Sequence, residues 1–150
     1  VNGQVAESTV TSSTVTKDPV DEQKLVGTAP KVSGTAVISK SGTLTDHQGN
    51  TVSYRGVISG RCTAYTASFG KHTSTGQVAQ YGLVAVNPNI IPYGTKLYIC
   101  SPDGSYVYGY AIAADTGGGV MSGSTVADLF YDTVSDCYSF GSRTMSVYIL

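Results

Sequence analysis

Two aspartates stand out as residues able to do chemistry. Asp115 ends the run AIAAD and is followed by Thr116, Gly117, Gly118 and Gly119, while Asp128 interrupts the apolar run TVADLFYD. Only 13% of the residues are charged, so a carboxyl inside an apolar stretch has few cations to pair with. In an extended chain, period-two alternation puts Val126, Asp128 and Phe130 on one face and Ala127, Leu129 and Tyr131 on the other. An ionised carboxylate beside apolar groups is costly unless it is paired, hydrogen-bonded or protonated. A carboxyl with a raised pKa is what a general acid needs near neutral pH. The glycines after Asp115 lack Cβ atoms and let a ligand come close to the backbone. Each aspartate also has a plainer reading. Asp128 can cap backbone N–H groups at a strand end, and Asp-Thr-Gly is ordinary turn chemistry. Asp132 reads as the N-cap of a helix over TVSDCYSF, with Gly141 as its C-terminal glycine.

The elements that must hold these groups are strands. Eighteen glycines, eleven tyrosines, no tryptophan and abundant Thr, Ser and Val in 150 residues favour short strands and tight turns over helices. From Cys62 onward six β-prone runs follow one another: RCTAYTAS, YGLVAVN, TKLYIC, SYVYGYAIAAD, STVADLFYD and TMSVYIL. Their number and shortness predict a small closed barrel, which removes exposed strand edges, together with one short helix. Residues 30–61 read as a β-hairpin linker, with runs GTAVIS and NTVSYRGVIS joined through KSGTLTDHQG, where Asp46 makes turn chemistry. Residues 1–29 alternate polar and apolar residues around Pro19 and read as extended strands or a polar tail.

Composition excludes several partners. A net charge of −1 gives no electrostatic footprint for nucleic acid or an anionic membrane. No apolar run approaches the roughly 20 residues of a membrane span. The opening VNGQVAEST has no charged and apolar leader pattern, so a soluble chain is expected, with any export signal removed or upstream. Cys62, Cys100 and Cys137 make no metal spacing. Either Cys100 and Cys137 pair or all three are small buried hydrophobes. His47 in its turn and His72 in FGKHTSTG are expected in solvent, and no metal or other cofactor is called for.

Asp-Thr-Gly resembles the catalytic loop of aspartic proteases, but a single copy followed by glycines fits that family poorly. Two other resemblances are more extensive. VTKDPVDEQKLVGT resembles the closing strands of a G5 domain, a repeat of bacterial surface proteins. The collinear segments CTAYTAS, TSTGQVAQYGLVAVNPNIIPYGTKLYI, GYAIAADTGGGVMSGSTVADLFYD and FGSRTMSVYIL resemble the 3D domain, named for three aspartates. This match runs over 62–150. It implies a six-stranded double-psi β-barrel related to the MltA class of lytic transglycosylases, secreted and associated with the bacterial cell wall. It makes Asp128 the acid/base and Asp115 the second aspartate. Thr116, Gly117 and Gly118 then form the adjoining loop, and Tyr65, Thr75 and Gly76 line the groove. The first of the family's three aspartates falls on Asn87, which can hydrogen-bond but cannot ionise. The loop between Asp115 and Asp128 also lacks a lysine carried by some relatives.

The resemblance implies cleavage of the β-1,4 bond between N-acetylmuramic acid and N-acetylglucosamine without water, leaving 1,6-anhydro ends. A single carboxyl can serve as acid and then as base because the sugar's own C6 hydroxyl is the nucleophile. A non-catalytic wall-binding module, its site degenerated at Asn87, is the alternative from another class.

Overall fold

The structure, a computed structural model, describes residues 32, 34–39, 42–67 and 70–150. The segment 1–29, with its G5-like motif, lies outside the described residues. The remainder is all-β, as expected, with a three-stranded sheet leaning on a closed six-stranded barrel. β1 (Val37–Ile38), β2 (Thr43–Thr45) and β3 (Thr51–Ser53) form the antiparallel sheet. The barrel follows in the order β4 (Gly56–Tyr65), β8 (Ala127–Phe130), β5 (Leu83–Ala85), β7 (Val107–Asp115), β6 (Lys96–Cys100) and β9 (Ser142–Ile149). Two of its pairings, β4 with β8 and β5 with β7, are parallel. All six expected runs are barrel strands.

Burial on both faces explains the near-continuous apolar character of several strands. Along β6, Leu97 and Ile99 point into the barrel core with Leu129, Met145 and Val147. The alternate residues Tyr98 and Cys100 join a second cluster with Val107, Tyr148, Ala36 and Leu44. That second cluster glues the three-stranded sheet to the barrel wall. Polar contacts reinforce it. Asp46, only 2% exposed, accepts from the N–H groups of Gln48 (2.8 Å) and Asn50 (2.9 Å) and from the Tyr110 hydroxyl. Ala36 N–H donates to Gly104 O at 2.8 Å. Gly104 has φ +78°, and a Cβ there would collide with the Ala36 carbonyl oxygen, so only glycine fits that turn.

Several expectations need correcting. β2 lies inside the connection read as a turn, making a three-stranded meander in place of a hairpin. β4 starts at Gly56, ahead of the boundary expected at Cys62, because its first half pairs with β9. Among the described residues there are two short helices where one was expected: α1 (Gly118–Ser122) fills the glycine loop, and α2 (Val134–Phe140) is the expected helix. Its cap is Thr133, whose hydroxyl accepts from Asp136 N–H at 3.0 Å, and Asp132 is not used for this; Gly141 closes the other end. Cys100 and Cys137 do not pair. They belong to different clusters, and all three cysteines are free thiols. His47 is half-buried, its Nδ1 3.0 Å from the Tyr98 hydroxyl, because the sheet presses its turn onto the barrel. His72 is exposed and pairs its backbone with Val78. Among the described residues no helix is long and apolar enough to cross a membrane.

Candidate active site

The parallel β4/β8 ladder sets Thr63 opposite Asp128 and Tyr65 opposite Phe130. On the other side of β8, Asp128 pairs with Ala85 of β5, and Ala85 in turn pairs with Asp115 at the end of β7. A register shift between Val84 and Ala85 interrupts the β5/β7 ladder at that point. As alternation predicts, Ala127, Leu129 and Tyr131 join the barrel core, while Asp128 does not.

The two carboxyls have unlike surroundings. Asp128 is half-buried, and its Oδ1 accepts one bond, from the Thr63 hydroxyl at 3.0 Å. Burial raises its pKa above the ordinary carboxylate value, the nearby Asp115 charge adds to the rise, and the Thr63 bond only partly opposes it. Burial also pushes Asp115 upward, but here donors outweigh it. Its Oδ1 accepts from the Ser74 hydroxyl (2.7 Å), the Ser74 N–H (3.0 Å) and the Thr116 N–H (2.9 Å), and its Oδ2 from the Tyr65 hydroxyl (2.9 Å). The result is a pKa below the usual value. Burial, with both aspartate charges nearby, pushes the Tyr65 phenol upward and keeps it a neutral donor. Its ring stands edge-on to Phe130 at 5.3 Å.

Thus Asp115, Asp128, Tyr65 and Thr116 come together. Thr75 and Gly76 belong to the turn that delivers Ser74. The Thr75 hydroxyl and N–H both bond to Ala114 O, at 2.9 and 3.3 Å, and Gly76 N–H bonds to Thr73 O. Gly117 and Gly118 are exposed, and a Cβ at either would meet nothing within 4 Å, so the loop is open to a ligand. Asn87 follows Val86, whose N–H donates to Asp115 O at 2.9 Å, and its own Oδ1 accepts from Asn89 N–H at 2.9 Å within its turn. Thr63 and Ser74 escaped sequence reasoning. Ser74 is 41 residues from Asp115 along the chain, and no local pattern marks such a contact. Among the described residues no three of His, Cys, Asp and Glu gather as a metal-ligand set.

A half-buried protonated carboxyl can give a proton to a leaving oxygen and take one back, while an ionised neighbour held by several donors stabilises positive charge nearby.

Residues 82–150 match the family model of the 3D domain. YabE of Bacillus subtilis (strain 168), named for cell wall shaping, is 39% identical over 95 residues, covering 59% of this chain and 21% of its own. The cell wall-binding protein YocH of the same organism is 40% identical over 95 residues, covering 59% of this chain and 30% of its own. The chain therefore spans less than a third of either relative. Among solved structures, MltA from E. coli superposes with a TM-score of 0.44 at 19% identity, over 55% of this chain and 28% of that one.

Proposed function

Because residues 82–150 carry a 3D domain, we propose that the protein acts on bacterial peptidoglycan as a lytic transglycosylase, exported and associated with the cell wall. The observation that carries this reading is the divergence of two carboxyls flanking Ala85, Asp128 biased toward its protonated form and Asp115 toward its ionised form. Such a divergence separates acid from charge stabiliser. The wall-related names of the two Bacillus relatives support the substrate class.

In the reaction, Asp128 donates its proton to the glycosidic oxygen as the bond to C1 of the muramic sugar breaks. Positive charge develops at C1 and the ring oxygen. The ionised Asp128 then accepts the proton of that sugar's C6 hydroxyl as its oxygen bonds to C1, closing the 1,6-anhydro ring and restoring the acid. Asp115, fixed by Ser74, Thr116 and Tyr65, supplies negative charge beside the developing cation and adds to the burial that favours the protonated form of Asp128. The glycine loop lets the glycan lie against the backbone.

Mass spectrometry of products released from purified sacculi tests this. Wild-type protein is expected to release anhydromuropeptides, and Asp128→Asn to lose at least about 100-fold in rate. Wild-type release by Asp128→Asn would overturn the assignment. Products carrying an added water would make the protein a hydrolase.

Asn87 favours a second reading, a wall-binding module without cleavage, since it is neutral where the family's first aspartate is expected. Sedimentation with insoluble peptidoglycan, no fall in turbidity and indifference to Asp128→Asn would support that reading.

A further inference from the structure

The glycine-rich connection from β7 to β8 is tied to the barrel by a single side chain. β7 and β8 flank β5, so this connection crosses the end of β5, where Ala85 pairs with both Asp115 and Asp128. Within residues 117–124 only Val120 is buried. The hydrogen bonds of the segment are local. Met121 N–H donates to Gly117 O at 3.0 Å and Gly123 N–H to Val120 O at 3.4 Å, while Thr125 N–H and the Ser122 and Ser124 hydroxyls all donate to Gly119 O, at 3.2, 3.1 and 3.1 Å. Among the described residues, no hydrogen bond joins residues 117–124 to a barrel strand. Both ends are glycines, Gly117 in open space and Gly123 at φ +84°, and glycine leaves the backbone freest to turn.

The anchor is loosely seated. Val120 shares a cavity of about 140 Å³ with Ile58, Ile91 and Val126, so its methyls forgo part of the contact that a filled core provides. The segment is also unsatisfied at both roots. The hydroxyls of Thr116 and Thr125 are buried and make no hydrogen bond, and Thr125 Oγ1 lies 3.3 Å from the place a Cβ on Gly119 would take. A buried hydroxyl without a partner is unfavourable, and an arrangement that exposes it to one recovers the difference. One apolar anchor, a void beside it and two unpaired hydroxyls together bring the packed and lifted arrangements close in free energy.

The chemistry gives such a segment a task. Once the bond to C1 of the muramic sugar breaks, either the C6 hydroxyl or a water molecule can capture the cation. In the first case O6 bonds to C1, Asp128 takes the hydroxyl proton and the 1,6-anhydro ring closes. In the second the water oxygen bonds to C1, Asp128 takes one of its protons and the product gains a water. The carboxyl serves both outcomes alike, so the choice between them falls to whatever keeps water away from C1. We propose that α1, with its glycine ends, is a flap that lifts to admit the glycan and closes over the Asp115–Asp128 corner to exclude water, and that Val120 sets how firmly it closes. The inference rests on the transglycosylase reading and adds to it the element that selects the product.

Two measurements test this. Amide hydrogen exchange read by NMR follows the flap in the unliganded protein: the N–H groups of Met121, Gly123 and Thr125 are expected to exchange at least roughly a hundredfold faster than those of the β4/β9 ladder. Val120→Ala, which weakens the anchor, should speed them by about another tenfold. Val120→Ile, which extends the anchor into the cavity, should slow them. Mass spectrometry of products from purified sacculi then reads the choice of nucleophile. Val120→Ala should raise the share of product carrying an added water several-fold, and Val120→Ile should keep that share at or below the wild-type level. Equal protection of flap and ladder in the wild type would overturn the proposal, and this arm decides even if Val120→Ala fails to fold. So would exchange that neither variant moves, or faster exchange in Val120→Ala with an unchanged share. Anhydro products whose share ignores the flap would sink the flap alone. A wild type that releases no anhydro product, with flap exchange as expected, would sink the transglycosylase reading and with it the selection of product.

Discussion

Asp115 and Asp128 face the same residue, Ala85, from the two strands that flank β5. Neighbouring carboxyls in a half-buried setting cannot both ionise freely, and their partners decide which one does. Asp115 accepts four hydrogen bonds and Asp128 one, so of the two Asp128 is the one whose protonated form is favoured.

The pH dependence of cleavage follows. Activity should fall as pH rises through the raised pKa of Asp128. Asp115→Asn removes the charge that helps raise it, so the alkaline limb should move to lower pH. Thr63→Val removes the one bond that favours the ionised form, so the limb should move to higher pH. Profiles of kcat/KM for product release measure both, and shifts in the same direction would exclude Asp128 as the acid.

The same shift makes stability fall with rising pH over the same range as activity. A carboxyl with a raised native pKa stabilises the fold at pH below its unfolded value, and that contribution is lost as pH rises through the native pKa. Asp128→Asn should therefore raise Tm at pH 7 and leave it nearly unchanged at pH 3, as scanning calorimetry would show.

Tyr65→Phe keeps the ring against Phe130 and loses only the bond to Asp115. The expected cost is about 1 kcal/mol in urea unfolding. The rate of anhydro product release should fall roughly tenfold, since Asp115 is less firmly fixed and less strongly ionised.

At the junction of sheet and barrel, Asp46 is held at about 2, burial being outweighed by the bonds from Tyr110, Asn50 and Gln48. A depressed pKa gives stability that is complete above the unfolded value and disappears as pH falls through the native one. Wild-type stability should drop between pH 3.8 and about 2, and Asp46→Asn should flatten that drop while costing about 1–3 kcal/mol at pH 7. Gly104→Ala should cost at least about 2 kcal/mol from its positive φ and the clash with Ala36. Hydrogen exchange should then report loosening of the three-stranded sheet before the barrel.

Cys62 and Cys100 are buried, and burial pushes both thiols up to about 12. Iodoacetamide should label neither in the native protein at pH 8 and both after unfolding, as read by intact mass. Rapid native labelling of Cys100 would show that the sheet detaches from the barrel wall.

The strands were readable because Val, Ile, Tyr and Thr cluster between Gly, Pro and Asn turns, and the alternation around Asp128 showed which face it takes. What local pattern could not show was tertiary. Three consecutive glycines argue against a helix, yet α1 forms there, with Val120 buried in the barrel end. Asp132 and Thr133 are both good caps, and the extended backbone at Thr133 decides between them. His47 looks like a solvated turn residue until Tyr98, 51 residues away, is brought to it. The site was legible as a pair of aspartates, whereas the donors that separate their proton affinities come from other strands and a distant loop.

The irregular step between Val84 and Ala85 governs the parity of this corner of the barrel. Ala113 pairs with Val84 and Asp115 with Ala85, so Ala114 is skipped. An unbroken ladder would match Ala85 with Ala114, and a slip of one place reverses which side of a sheet a residue occupies. Adding or deleting one residue in this part of β7 would therefore turn Asp115 away from Asp128 even in a barrel that still closed.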